Sequence, residues 1–132
     1  MMLEYEADES DTDRVYPFSV SREKSQPLVV DWRPTISAIV ADIHSEVSRT
    51  EIARAFHNTL GEMIVDVSKM VRERHVVLTG GCFQNRYLTE YTVDALQRSG
   101  FKPFWHKTVP PNDGGIALGQ VAAAMRTRGE SD

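Results

Sequence analysis

Thiols are nearly missing: 132 residues hold one cysteine, Cys82. It has no partner for an internal disulfide, which suits a reducing compartment. Long apolar runs are missing too. No stretch reaches the about 18 consecutive apolar residues that a membrane helix needs, and the N-terminus opens acidic rather than basic and apolar. Neither a membrane span nor a secretory signal is expected, and the expected location is the cytoplasm. Clustered basic charge is also lacking. The formal charge is −4, but residues 1–14 hold six acids and one base, leaving 13 acids against 14 bases elsewhere. A nearly neutral body has no surface for displacing counterions from a nucleic acid, so that class of partner is excluded. No internal repeat and no low-complexity segment occurs.

What remains is an ordinary chain, 41% hydrophobic and 26% charged, with room for one core. The acidic stretch 1–14 reads as a flexible, solvated segment, the alternative being a partner-binding tail. The body is expected over 15–127 and a short flexible tail over 128–132. "VYPFSV" and "PLVVDW" are β-rich runs that predict two strands joined by the polar turn "SREKSQ". Pro34 then opens a helix with Ile36, Ile39, Val40, Ile43 and Val47 at helical spacing. Ser48 to Glu51, "SRTE", has the form of a capping box for the next helix. That helix carries an apolar stripe of Ile52, Phe56, Leu60, Met63, Ile64, Val67 and Val71, and is expected to run to about Arg74.

"HVVLTGG" follows as a strand ending in two glycines. "FQNRYLTEYTVDALQRSG" predicts a helix that stops at Gly100, where a left-handed residue costs least. "FKPFWH" is a strand that Pro103 confines to an edge or to the strand's beginning. A last helix is expected from about Gly114 to Arg126. The order β-β-α-α-β-α-β-α predicts an α/β fold, with parallel strands and crossover helices in the second half.

Both loops that stand out lie where a strand hands over to a helix, the usual place for ligands in open α/β sheets and for anions at a helix start. In "TGGCFQN", Gly80 and Gly81 leave room for a ligand or simply make a tight turn, and Asn85 on the first helical turn offers an amide donor and an acceptor. In "VPPNDGGIALGQ", Pro110 and Pro111 stiffen the approach, Gly114 and Gly115 permit close contact, and Asp113 stands at the helix start. Asp113 is either an N-cap, worth about 1 kcal/mol, or a ligand for a hard or borderline cation with open positions.

Around those loops, "LTGGCFQNRYL", "FWHKTVPPNDGGIALGQ", "VDWRP" and "RAFHNTL" resemble the C-terminal end of the HypF family, the carbamoyltransferases of [NiFe] hydrogenase maturation. The similarity extends from "MMLE", which looks like the tail of a truncated helix, to Gln120. It implies a domain similar to the threonylcarbamoyl transferase of tRNA modification, TsaD. The fold implied is a partial actin-like (RNase H-like) lobe. Residue by residue, it implies that Asp113 is a metal ligand, that Asn85 contacts the adenosine of a carbamoyl-adenylate, and that Gly80 and Gly81, with Gly114 in the second loop, lie against that ligand. The carbamoyl acceptor implied is the C-terminal cysteine of a HypE-type protein.

Departures from the family pattern are equally specific. Its metal site, for zinc or iron, uses a histidine pair spaced HxxxH, and His44, His57, His75 and His106 contain no such pair. The acylphosphatase-like, zinc-finger and adenylate-forming segments and the first lobe of the transfer domain are not matched. The expectation is therefore one wall of a two-walled cleft, inactive alone, which needs its missing lobe or sticks to its own copies. The alternative is a stand-alone nucleotide-binding or protein-interaction module without chemistry. Cys82 has no identifiable base for a nucleophilic role, His57 beside the apolar stripe reads as a packed or interfacial histidine, and Trp32 and Trp105 read as core or domain-interface residues.

Overall fold

A computed structural model describes residues 6–7, 9–22, 27–109 and 111–129. Part of the expected polar turn (23–26), Pro110, part of the opening stretch (1–5 and 8) and the last residues of the expected tail (130–132) lie outside the described residues. The elements are β1 (Ser19–Ser21), β2 (Val29–Asp31), α1 (Arg33–His44), α2 (Arg49–Val71), β3 (His75–Leu78), α3 (Arg86–Arg98), β4 (Lys102–Trp105) and α4 (Ile116–Gly129). Two one-turn 3-10 helices, Gly81–Gln84 and Asp113–Gly115, precede α3 and α4.

The strands form two small sheets. β1 and β2 pair antiparallel, Ser19 opposite Asp31. β3 and β4 pair parallel with α3 as their crossover, His75 opposite Lys102 and Leu78 opposite Trp105. Pro103 sits inside β4, tolerated because a two-stranded sheet leaves each strand an open edge.

Local sequence accounts for the helix ends. Pro34 stands in the first turn of α1, where its missing N–H costs nothing. Asp31, ahead of it, accepts from the backbone and guanidinium of Arg33, which holds its carboxyl at about 2. Ser48 caps α2 by accepting from the Glu51 N–H. The helix ends at Val71 rather than Arg74, because Arg72 turns left-handed (φ 65°) and donates its N–H to Ser68. After α3, Gly100 (φ 84°) donates to Gln97 and Phe101 to Leu96, a Schellman closure that folds Phe101 back onto the core.

That core is Val65, Leu78, Ala95 and Leu96, flanked by Ile64, Val76, Phe83, Tyr91, Val93, Phe101 and Trp105. Helices α2 and α3 pack closely because Gly61 lies under the Tyr91 ring. The face that α2 buries corrects the expected stripe. Buried are Ala53, Ala55, His57, Asn58, Thr59, Gly61, Val65 and Ser68, whereas Val71 is exposed and Met63, Ile64 and Val67 are half-buried. Together with Val30, Trp32 and Val76, these three half-buried side chains line an open apolar groove of about 560 Å³. On α1 the buried residues are Thr35 and Asp42, and the apolar Ile36, Val40 and Ile43 face outward. Trp32 is exposed rather than core, while Trp105 is half-buried against the core.

Polar groups can be buried on α2 because the opening stretch satisfies them. Asn58 donates to the carbonyls of Thr12 and Arg14, Arg54 to those of Ala7 and Thr12, and the Tyr16 N–H to Thr59. Tyr16, 2% exposed, gives its hydroxyl to Asp42, which also accepts from Arg14 at 2.9 Å. The Arg14 guanidinium, and then the Tyr16 hydroxyl, hold the Asp42 carboxyl below the usual carboxylate range, and burial beside Asp42 pushes the Tyr16 phenol up. In the described part of the acidic stretch, Ala7, Thr12 and Arg14 are thus bonded to α2, while the acids Glu9, Asp11 and Asp13 are exposed. Helix α4 behaves oppositely: residues 116–126 are all exposed, and it continues to Gly129, into the stretch expected as a tail.

Candidate functional site

Both singled-out loops leave the carboxyl ends of the parallel strands, one after β3 and one after β4. At their roots the Thr79 hydroxyl lies 3.1 Å from His106 Nε2. Further out, the Gly80 N–H donates to the carbonyl of Pro111 at 2.8 Å, so the two loops meet. Gly80 has φ 103°, a conformation that favours glycine, and its amide is committed to this joint. For Gly80 the turn requirement is therefore met in the chain itself. Gly81 differs: a Cβ built there meets nothing within 4 Å, and among the described residues its N–H has no acceptor.

Asn85 is the N-cap of α3 rather than a residue of its first turn. Its Oδ1 accepts from the Leu88 N–H at 2.8 Å, and its Nδ2 lies 2.7 Å from His57 Nε2. His57 is 4% exposed, its ring edge-on to Phe56 and Tyr87, with Nδ1 2.7 Å from the Ala53 carbonyl. The packed reading of this histidine holds. What the sequence did not reveal is its bond to Asn85, since 28 positions separate the two. His57, Leu60, Gly81, Cys82, Gln84, Asn85 and Leu88 line an open hollow of about 410 Å³. Cys82 is exposed at its rim, and no base is bonded to its thiol among the described residues.

In the second loop the cap is Asn112, whose Oδ1 accepts from the Gly114 N–H at 3.0 Å. The sequence signal for that role was Asn112 itself, since asparagine caps as well as aspartate. Asp113 is exposed; its carbonyl accepts from the Ile116 N–H, but among the described residues its carboxylate makes neither a hydrogen bond nor an ion pair. The cap reading thus falls to its neighbour. No three His, Cys, Asp or Glu side chains converge among the described residues, and one carboxylate is too few ligands for a divalent ion. The described residues do not fit a complete metal site.

The loop pair therefore offers two uncommitted donors, the Gly81 N–H and the second Nδ2 proton of Asn85, and one free carboxylate, at the carboxyl edge of a parallel strand pair. The family described as carbamoyltransferase, Kae1-like domain, second subdomain, matches residues 1–120. The chain belongs to this HypF carbamoyltransferase family. The carbamoyltransferase HypF of Synechocystis sp. is 41% identical over 117 residues, 89% of this chain but 15% of the relative. That of Rhizobium leguminosarum bv. viciae is 35% identical over 101 residues, 74% of this chain and 13% of the relative. A crystal structure of full-length HypF in a phosphate- and nucleotide-bound form superposes with a TM-score of 0.83 at 32% identity, over 95% of this chain and 17% of that one. The HypF of T. kodakarensis, at 22% identity and a TM-score of 0.72, supports the fold alone. The chain spans between an eighth and about a sixth of the length of these HypF proteins. No helix among the described residues is long and apolar enough to cross a membrane.

Proposed function

We propose that the chain is the C-terminal lobe of the transfer domain of a HypF-type carbamoyltransferase, of actin-like fold, and forms one wall of a cleft for carbamoyl-adenylate. The observation that carries this reading is the Gly80 N–H bond to the Pro111 carbonyl, which joins the two signature loops at one edge of the parallel strands. On this reading the Gly81 amide and the free Asn85 proton face the nucleotide, with Gly114 shaping the turn beside it. Asp113 lends one carboxylate to a zinc or iron ion whose other ligands belong to the rest of a larger protein. The carbamoyl acceptor is the C-terminal cysteine of a HypE-type protein, and the setting is cytoplasmic. A second reading, a nucleotide-binding or interaction module without catalysis, draws support from the open hollow of about 410 Å³ beside Gly81 and Asn85.

The test has two arms. Asp113→Asn in this chain is expected to leave the melting temperature unchanged, since Asn112 already caps the turn. The matching change in a full-length relative is expected to abolish carbamoyl transfer, and retained transfer refutes the ligand role. To separate the two readings, the chain is supplied to a relative from which the matching stretch has been deleted. Restored transfer supports the lobe; nucleotide binding by the chain without restoration supports the module.

A further inference from the structure

The polarity of Asn85 follows from a partner buried behind it. The Ala53 carbonyl can only accept, so His57 Nδ1, 2.7 Å away, carries the proton, and the bare Nε2 is left as an acceptor. The 2.7 Å approach of Asn85 Nδ2 fits that acceptor, and the Leu88 N–H fits Asn85 Oδ1. A flipped carboxamide would set Nδ2 against the Leu88 N–H and Oδ1 against the Nε2 lone pair, losing both bonds. Ring rotation is closed off as well, because Phe56 and Tyr87 hold the imidazole edge-on from two sides at 5.8 and 5.7 Å. His57 and Asn85 both line the 410 Å³ hollow.

We infer that His57 is a positioning residue, which fixes the Asn85 carboxamide so that the group left for a ligand in the hollow is an N–H donor. The Leu88 N–H holds one lone pair of Asn85 Oδ1 and His57 takes one Nδ2 proton, which leaves the second Nδ2 proton as the amide's free donor. The site therefore selects a ligand atom that accepts a hydrogen bond, such as an aromatic ring nitrogen or a hydroxyl or phosphate oxygen, and disfavours a donor at the same place. The ligand half of this inference rests on the nucleotide reading above; the positioning half rests on the Ala53–His57–Asn85–Leu88 chain alone.

The chain labelled with nitrogen-15 tests both halves. The His57 ring nitrogens are expected to report a protonated Nδ1 and an unprotonated, hydrogen-bonded Nε2, with the Asn85 amide protons shifted apart. A protonated Nε2 beside an unprotonated Nδ1 overturns the inference. AMP at millimolar concentration, followed by the Asn85 amide signal, is expected to bind His57→Leu about 3- to 10-fold more weakly than the native chain, the worth of one hydrogen bond. His57→Gln, which keeps an acceptor for Nδ2, is expected to restore most of that loss, a rescue that a purely structural histidine would not give. Equal AMP binding by the native and His57→Leu chains overturns the ligand half. If the native chain shows no AMP response, the nucleotide reading fails, and the nitrogen shifts alone decide the positioning role.

Discussion

Gly61→Ala is expected to destabilise the chain, although an alanine inside a helix normally gains about 1 kcal/mol over glycine. An added Cβ would lie 2.5 and 2.7 Å from the Tyr91 ring carbons Cδ1 and Cε1, and 3.3 Å from Thr92 Oγ1. Carbon contacts are comfortable at about 3.5–4.0 Å, so the ring must retreat by roughly 1 Å. It cannot do so freely. Tyr91 stacks on Tyr87 with centroids 6.2 Å apart, its hydroxyl donates to Glu62 at 3.1 Å, and Thr92 behind it is fully buried. Overpacking of this kind costs about 1–3 kcal/mol, and a strained Tyr91–Glu62 bond adds about 1. Set against the helix gain, the net loss is about 1–3 kcal/mol, which at a urea slope near 2 kcal/mol/M lowers the midpoint by roughly 0.5–1.5 M. Urea unfolding followed by far-UV circular dichroism of dilute protein measures it. Tyr91→Leu in the same background is expected to relieve much of the penalty through a favourable coupling. A midpoint raised by Gly61→Ala would refute the packing argument and leave helix propensity as the governing effect.

Three further outcomes follow from the same description. Asp42 is depressed by Arg14 and Tyr16, so its stabilisation is complete above the unfolded value of about 4 and drains away as the pH falls through its lower folded value; urea midpoints measured from pH 6 down to 2.5 should fall for the native chain and fall less for Asp42→Asn. The apolar groove and the exposed Trp32, Val77 and Phe104 should bind a hydrophobic dye and drive self-association at tens of micromolar, whereas a clean monomer in sedimentation without dye binding would count against this. Incubated with carbamoyl phosphate and ATP, the chain should release no product, and turnover abolished by Asp113→Ala would overturn the one-wall reading.

Signals confined to a few neighbouring residues were legible in the sequence. The Ser48 cap with Glu51, the stop at Gly100 and the strand around Pro103 all depend on chemistry within one turn, and they lie where the sequence puts them. What periodicity could not supply was the side of α2 that is covered. An apolar stripe says where the oily residues are, but the buried face went to Asn58, Thr59 and His57 because the carbonyls of Thr12 and Arg14, the N–H of Tyr16 and an amide at 85 satisfy them. The same limit applied at the second loop. Asn112 and Asp113 are adjacent and both can cap, and only the turn's geometry assigns the cap to Asn112. The meeting of Gly80 with Pro111 joins residues with no local signal between them.

Helix α4 has a mechanical consequence. Its 14 residues make a rod roughly 20 Å long, with Ile116, Leu118, Val121 and Met125 all in the open, and its first residue comes three after Asp113. A surface that captures the rod along its length moves its root as well, as a lever moves its fulcrum end. On the proposed reading of Asp113 as a metal ligand, the aim of its carboxylate is then set by the seating of the helix rather than by its own turn. An incompletely assembled protein would carry the carboxylate out of line, and seating and aiming would come about in a single event.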